Sequence, residues 1–310
     1  MNEPTRSGRA ADFATIWTQA NNVYPFFQLK RINWDSLHAI YDPLAQNAKG
    51  DEGYMVLVHL LGELKDCHVS LTTQIGEQII PYEPPRTIRD RFSFDSRVVR
   101  TYFSQDLKIA GGGNIQYEML PDSIGYIWLP TFGAGTWVND FDPVLDGFRQ
   151  TKGLIIDVRN NPGGMADIQE FVVERFIDTT LPYFPAYSRI SVTNMPSALP
   201  RGAFTYKHPV VVLINGASAS AAEHFTEMMK QVRTVTALGD TTAGAGGNGG
   251  DRFRLSGGEQ VQLPTADFRR YDGVPIEWNG VVPNVVLLQT EKDTKMGRDL
   301  QLERAIKLLQ

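Results

Sequence analysis

The chain is poor in the features that would make its class obvious. It has a single cysteine, Cys67, in 310 residues. That excludes an internal disulfide and any metal site built from several cysteines. No apolar run approaches the roughly 20 residues that a membrane-spanning helix needs. Positive charge is not in excess either: 30 Lys and Arg against 35 Asp and Glu leave a net charge of −5, which argues against nucleic acid as the main partner. Residues 1–11 are polar and lack the apolar stretch of a signal peptide. There is no internal repeat and no low-complexity tract. The Gly-x-Ser-x-Gly elbow of the α/β-hydrolases is also missing, because Gly216-Ala-Ser218-Ala-Ser220 puts a serine where the second glycine would stand.

What is present is a core-forming composition, 42% hydrophobic and 21% charged, with a change of texture along the chain. Residues 12–66 read as helices. Phe13, Ile16, Trp17 and Ala20 share one helical face, Asn33-Trp-Asp35 marks a helix start, and Tyr54 to Leu64 is strongly apolar. Residues 70–122 are broken by Pro81, Pro84, Pro85 and Gly111 to Gly113, and read as short strands and loops, with strand character at Val98 to Phe103. From Ser123 onward, apolar strands alternate with amphipathic helices. Ile124 to Leu129, Gly153 to Asp157, Pro209 to Ile214 and Thr234 to Leu238 are the strands. This alternation predicts an α/β fold with a parallel sheet and right-handed crossovers, closed by a helix over Asp299 to Leu309. The expected division is an N-terminal helical unit over 1–75 and a catalytic core over 76–310.

Two strand-to-helix junctions carry the chemistry. Asp157-Val-Arg-Asn-Asn-Pro-Gly-Gly164 brings two glycines, whose N–H groups can approach a developing negative charge. Asn215-Gly-Ala-Ser-Ala-Ser-Ala-Ala-Glu223 brings two serines to a helix N-terminus, where an anion is favoured. Together they point to an oxyanion hole and a nucleophile, hence acyl transfer. Ser218 stands where a helix cap belongs, and Ser220 would follow in the first turn beside the Ala221 N–H. Ser220 is the nucleophile candidate and Ser218 the neighbour to exclude, with capping or packing as the alternative reading of Ser220. Of the five histidines, His59 lies on an apolar helix and His208 precedes a strand. His224 lies one turn after Ser220, and His68 sits at a helix-to-strand junction, a common address for site residues. The alternative reading for each is packing. Asp157 and Arg159 are expected to fix the glycine loop rather than touch a substrate.

Four segments occur in an order that resembles the tail-specific, C-terminal processing serine peptidases. They are Leu64-Lys-Asp-Cys-His-Val-Ser-Leu71, Gly153 to Gly164, Val212 to Glu223, and Gly273-Val-Pro-Ile-Glu-Trp-Asn-Gly-Val-Val-Pro-Asn284. That family also holds the tricorn core peptidase and the retinoid-binding-protein modules, and the resemblance runs from Trp17 to Leu309. It implies a Clp-protease/crotonase-like α/β core with an N-terminal helical unit. One branch of the family uses a serine with a lysine in a Thr-x-Gly-Lys-Gly turn. Here that turn is Thr242-Ala-Gly-Ala-Gly246, Ala245 holds the lysine position, and no lysine occurs between Lys230 and Lys292. The tricorn-like branch uses a histidine, a serine and a glutamate instead. The resemblance assigns these roles to His68, Ser220 and Glu277, with Gly163, Gly164 and Ala221 as the oxyanion hole. Cys67 replaces the serine that precedes the histidine in tricorn. Without the resemblance, Glu277 would read as a solvated turn carboxylate.

The resemblance thus implies a serine endopeptidase acting on a peptide or protein substrate, with no cofactor and no metal. A histidine base predicts a rate that rises with pH through roughly 6–7.5. Residues 70–122 are too few for a PDZ domain. Two other readings stay open: a non-catalytic module binding an apolar ligand or peptide, and acyl-CoA chemistry on the related crotonase fold. The expected setting is a bacterial cell envelope, in a mature form freed of its signal. The oligomeric state is not legible.

Overall fold

The computed structural model describes residues 6–48 and 51–310. The chain forms two compact units. The first gathers Met1–Pro84, Pro185–Asn194 and Ala245–Arg269, and the second Pro85–Phe184, Met195–Gly244 and Arg270–Gln310.

The first unit is built on three helices, Arg6–Val23, Trp34–Asn47 and Asp51–Gly62. Asn33 caps the second, its side-chain oxygen accepting the Ser36 N–H at 3.0 Å, so the Asn-Trp-Asp start signal is met. Phe13, Ile16 and Ala20 on the first helix meet Leu57, Leu60 and Leu61 on the third, all fully buried. The same core takes in Leu71, Val261 and Leu263 from an antiparallel sheet. Its strand order is Asp251–Arg254, Gln260–Leu263, Ser70–Thr72, Gln78–Ile79. The register pairs Leu71 with both Val261 and Ile79, which sets that apolar strand in mid-sheet.

The second unit is organised by a seven-stranded sheet. Its order is Val285–Val286, Val235–Gly239, Val210–Ile214, Gly153–Asp157, Ile124–Trp128, Ile115–Leu120, Lys108–Ala110. The first five strands are parallel, as the alternation of strands and helices predicts. The last two are antiparallel, joined through Gly111–Gly113, so the sheet is mixed at that edge. Gly153–Asp157 and Val210–Ile214 are buried at every position, which is why they read as unbroken apolar runs. Ile155, Val211 and Leu213 face the C-terminal helix Leu300–Leu309 through Leu302, Ala305 and Leu309.

One local expectation fails. Val98 to Phe103 is not a strand; Ser96–Arg100 is a short helix whose Asp95 cap accepts the Arg97 N–H. No helix among the described residues is long and apolar enough to cross a membrane.

Candidate active site

In the second unit, four neighbouring parallel strands deliver their carboxyl ends to one edge of the sheet, where open α/β sheets place their sites. From Val210–Ile214 the chain turns through Asn215 to Ser220 and enters the helix Ala221–Met229. Ser220, not Ser218, is the cap residue of that helix, with φ 53° and ψ −119°. This corrects the assignment of the cap to Ser218. Positive φ is uncommon for a residue with a side chain and costs about 1–3 kcal/mol, and such strain gathers at functional sites. The Ser220 N–H donates to Glu223 Oε2 at 3.0 Å. The Ser220 carbonyl accepts from the Glu223 and His224 N–H groups at 2.8 and 3.1 Å.

Ser218 is fully buried. Its hydroxyl donates to the Val158 carbonyl at 2.8 Å and accepts the Asn215 N–H at 3.1 Å. It stitches two adjacent strand ends and is occupied in doing so.

The strand Gly153–Asp157 ends beside this turn. Asp157 and Arg159 are buried, and the guanidinium bonds Asp157 at 2.6 Å and Asp299 at 2.8 Å, as expected of residues that fix the loop. Asn161 holds three segments. Its side chain donates to the Leu129 carbonyl at 2.9 Å and accepts the Gly163 N–H at 2.8 Å, and its carbonyl accepts the Ala219 N–H at 2.9 Å.

Gly163 has φ 93°, and a Cβ there would stand 2.8 Å from Ser220 Cβ, 2.8 Å from the Ala221 nitrogen and 2.6 Å from the Ala219 oxygen. Only glycine allows the two turns to touch. At Gly164, φ 143°, a Cβ would run into the Phe132 backbone. The Gly163 carbonyl accepts the Phe132 N–H at 2.8 Å, and Phe132 in turn accepts from Met165 at 2.8 Å. The two glycines differ in what their N–H groups do. That of Gly163 is taken by Asn161, which corrects its pairing with Gly164 as an oxyanion donor. Among the described residues, no acceptor takes the N–H of Gly164 or of Ala221. For Ala221 this follows from its place at the first helical position.

Glu277 lies on a turn of the same unit. It is 2% exposed, so it is not the solvated carboxylate that the bare sequence suggests. Trp278 after it has φ 65° and donates its N–H to the Gly244 carbonyl at 2.9 Å. His224 is held by Tyr183, with 2.9 Å between Nδ1 and the phenol oxygen, and by the edge of Phe184. It packs on the helix flank.

His68 belongs to the first unit, in the turn between the helix Asp51–Gly62 and the strand Ser70–Thr72. That turn is fixed from within. The fully buried Lys30 ammonium meets Asp66 Oδ2 at 3.0 Å and the Leu64 and Lys65 carbonyls at 3.2 and 2.9 Å. Asp66 Oδ1 accepts the His68 N–H at 2.9 Å and lies 3.8 Å from its Nδ1. Burial pushes the His68 imidazole down, the Asp66 carboxylate pulls it up, and Lys30 pushes it down again. The net position is below the ordinary histidine value. A neutral imidazole at neutral pH is the form that can accept a proton. Asp66, Cys67 and His68 bring potential metal-ligand atoms within 4.8 Å of one another, yet Asp66 is already committed to Lys30, Tyr24 and the His68 N–H.

Two residues that organise the site were given no role in the sequence reading, Asn161 and Glu223. Glu223 had a signal: Ser220-Ala-Ala-Glu223 matches the Ser-x-x-Glu capping box. For Asn161 only the contact with Gly163 is local; its partners Leu129 and Ala219 are remote in sequence.

Comparison with known proteins identifies the family. Residues 6–59 match the tricorn protease C1 domain. The chain is 27% identical over 214 residues to the carboxy-terminal processing protease CtpB of Bacillus subtilis, an alignment covering 68% of this chain and 41% of that one. It is 30% identical over 197 residues to tricorn protease homolog 1 of Streptomyces coelicolor, covering 62% and 17%. The chain thus spans less than half the length of these relatives. Among solved structures, a protein of Parabacteroides merdae, provisionally assigned as a peptidase, superposes with a TM-score of 0.84 at 27% identity over 97% of this chain and 96% of that one. Residues 123–287, more than half of the chain, match peptidase family S41, and the chain belongs to that family.

Proposed function

We propose that the protein is a serine endopeptidase in which Ser220 is the nucleophile, His68 its general base and Glu277 an assisting carboxylate. The observation that carries this reading is the backbone of Ser220: a strained φ of 53° at a strand-to-helix turn, pressed against Gly163. A strained turn of this kind exposes a serine hydroxyl above a sheet in other acyl-transfer sites.

The chemistry follows the general serine scheme. The Ser220 hydroxyl passes its proton to the neutral imidazole of His68 as its oxygen bonds to the scissile carbonyl carbon. The carbonyl oxygen becomes an anion, and the N–H groups of Gly164 and Ala221 are the donors for it. The imidazolium then returns the proton to the leaving amine, leaving an acyl-serine. Water hydrolyses that ester by the same relay in reverse. Glu277 stabilises the imidazolium by its charge. The substrate is a peptide or protein chain. Envelope localisation is part of the proposal and rests on the family resemblance; detection in the periplasmic or surface fraction of the host checks it.

A fluorophosphonate probe tests the core of the reading. Wild type is expected to be labelled and Ser220→Ala is not, with a loss of several powers of ten in peptide cleavage. Labelling that survives in Ser220→Ala moves the nucleophile elsewhere. No labelling and no cleavage in wild type leaves a binding module on the same fold.

A further inference from the structure

Building on Ser220 as the nucleophile, we propose that Glu223 and Thr242 act together as positioning residues. They hold Ser220 in its strained conformation and lock the serine turn to the turn that carries Glu277. Neither side chain needs to touch substrate to do this.

Glu223 is fully buried, and it divides its two oxygens between two turns. Oε2 accepts the Ser220 N–H at 3.0 Å. Oε1 accepts the Thr242 hydroxyl at 2.6 Å and the Gly244 N–H at 2.8 Å. Thr242 passes the connection on. Its oxygen accepts the Val281 N–H at 2.7 Å, and its own N–H donates to the Val281 carbonyl at 3.2 Å. Gly244 adds a parallel link, since its carbonyl accepts the Trp278 N–H. The polar path therefore runs from the Ser220 backbone through the Glu223 carboxylate to Trp278 within the Glu277–Gly280 turn and, through the Thr242 hydroxyl, to Val281 just after it.

The consequence for Ser220 is specific. Glu223 grips that residue at both peptide groups, its carboxylate on the Ser220 N–H and its own N–H on the Ser220 carbonyl. With both peptides pinned, relaxation to an ordinary φ would break hydrogen bonds to the buried Glu223, and that loss opposes the release of backbone strain at such a residue. The balance keeps the Ala221 N–H turned away from the helix interior and available to an oxyanion. A helix cap alone would need only the Ser220 end of this arrangement. The links to Thr242 and Gly244 have no capping purpose.

The chemistry of the carboxylate gives a sharp test. Donors meet it on both oxygens, whereas a glutamine amide offers one acceptor oxygen and one donor NH2. Glu223→Gln must therefore set donor against donor at the N–H of either Ser220 or Gly244. Thr242→Val removes the hydroxyl and keeps the shape, and Thr242→Ser keeps the hydroxyl. The readouts are kcat and KM on a peptide substrate and the rate of fluorophosphonate labelling, each on protein shown to be folded by circular dichroism and thermal melting. Thr242→Val and Glu223→Gln are expected to lower kcat and labelling about 10- to 100-fold, the scale of an ångström-level misplacement, with KM changed no more than roughly twofold. Thr242→Ser should restore the rate. The double variant should lose no more than the worse single one, because the two act as a unit.

Wild-type labelling in folded Thr242→Val and Glu223→Gln overturns the proposal, as does Thr242→Ser being as slow as Thr242→Val. If Glu223→Gln does not fold, the two threonine variants decide. If neither Glu223→Gln nor Thr242→Val folds, the pair is structural and the positioning role falls. Persistent labelling of Ser220→Ala is a different failure, since it removes the nucleophile assignment itself.

Discussion

Ser218 and Ser220 lie two positions apart on one turn, and their surroundings divide their roles. Ser218 is enclosed and makes two hydrogen bonds to the ends of adjacent strands, while Ser220 holds the strained cap position. Ser218→Ala leaves a buried carbonyl and a buried N–H without that partner, and is expected to cost about 1–3 kcal/mol in urea unfolding. Its kcat per folded molecule should stay near wild type. A stable Ser218→Ala variant that has lost its activity would exchange the two roles. The same turn shows what single residues conceal in a sequence. The need for two glycines at 163 and 164 is legible, but not their different uses. One gives up its side chain so that two turns can touch, and its N–H goes to Asn161. The N–H of the other is taken by no acceptor among the described residues.

At the scale of elements, burial explains both the successes and the failure of the reading. Gly153–Asp157 and Val210–Ile214 are legible because central parallel strands are apolar on both faces. Ser96–Arg100 is not, because a few apolar residues fit a strand or one helical turn equally well. Its capping Asp95 was the discriminating signal. The helix Ala166–Val173, which follows the glycine loop, carries a titration in the physiological range. Burial raises the Glu170 carboxyl to about 7, with Glu174 and Asp167 adding to it. A raised carboxyl in the folded state keeps its proton after the unfolded chain has lost it. The stabilisation is therefore present at low pH and is lost as pH rises from the ordinary carboxylate range through about 7. Glu170→Gln does not titrate, so its melting temperature relative to wild type should climb between pH 5 and pH 8. An equal difference at both pH values would remove this account.

At the scale of the whole molecule, the pH profile tests the proposed base. Burial and Lys30 together outweigh Asp66 and lower the His68 value. The limb of kcat/KM is therefore expected below the ordinary histidine value of about 6.5, lower than an unperturbed histidine would give. His68→Ala should lose both the rate and that limb. A limb centred above pH 7, or an unchanged profile in His68→Ala, would exclude the imidazole as base. Stability follows the same sign. As pH falls below about 6.5 the unfolded chain takes up a proton that folded His68 resists, so the fold weakens on acidification.

The sequence by itself determined the α/β class, the helical start, the order of the buried strands and the family. Those depend on local periodicity, on glycine and serine at strand ends, and on motif order, all of which are properties of contiguous residues. The tertiary structure decided which serine caps and which is strained. It also decided which glycine N–H is already engaged, and it showed Glu277 to be buried. Part of this rests on short-range contacts, Asn161 with Gly163 and Glu223 with Ser220. The rest, Asn161 with Leu129 and Ala219 and Glu223 with Thr242 and Gly244, joins residues far apart in sequence, and no local pattern encodes those contacts.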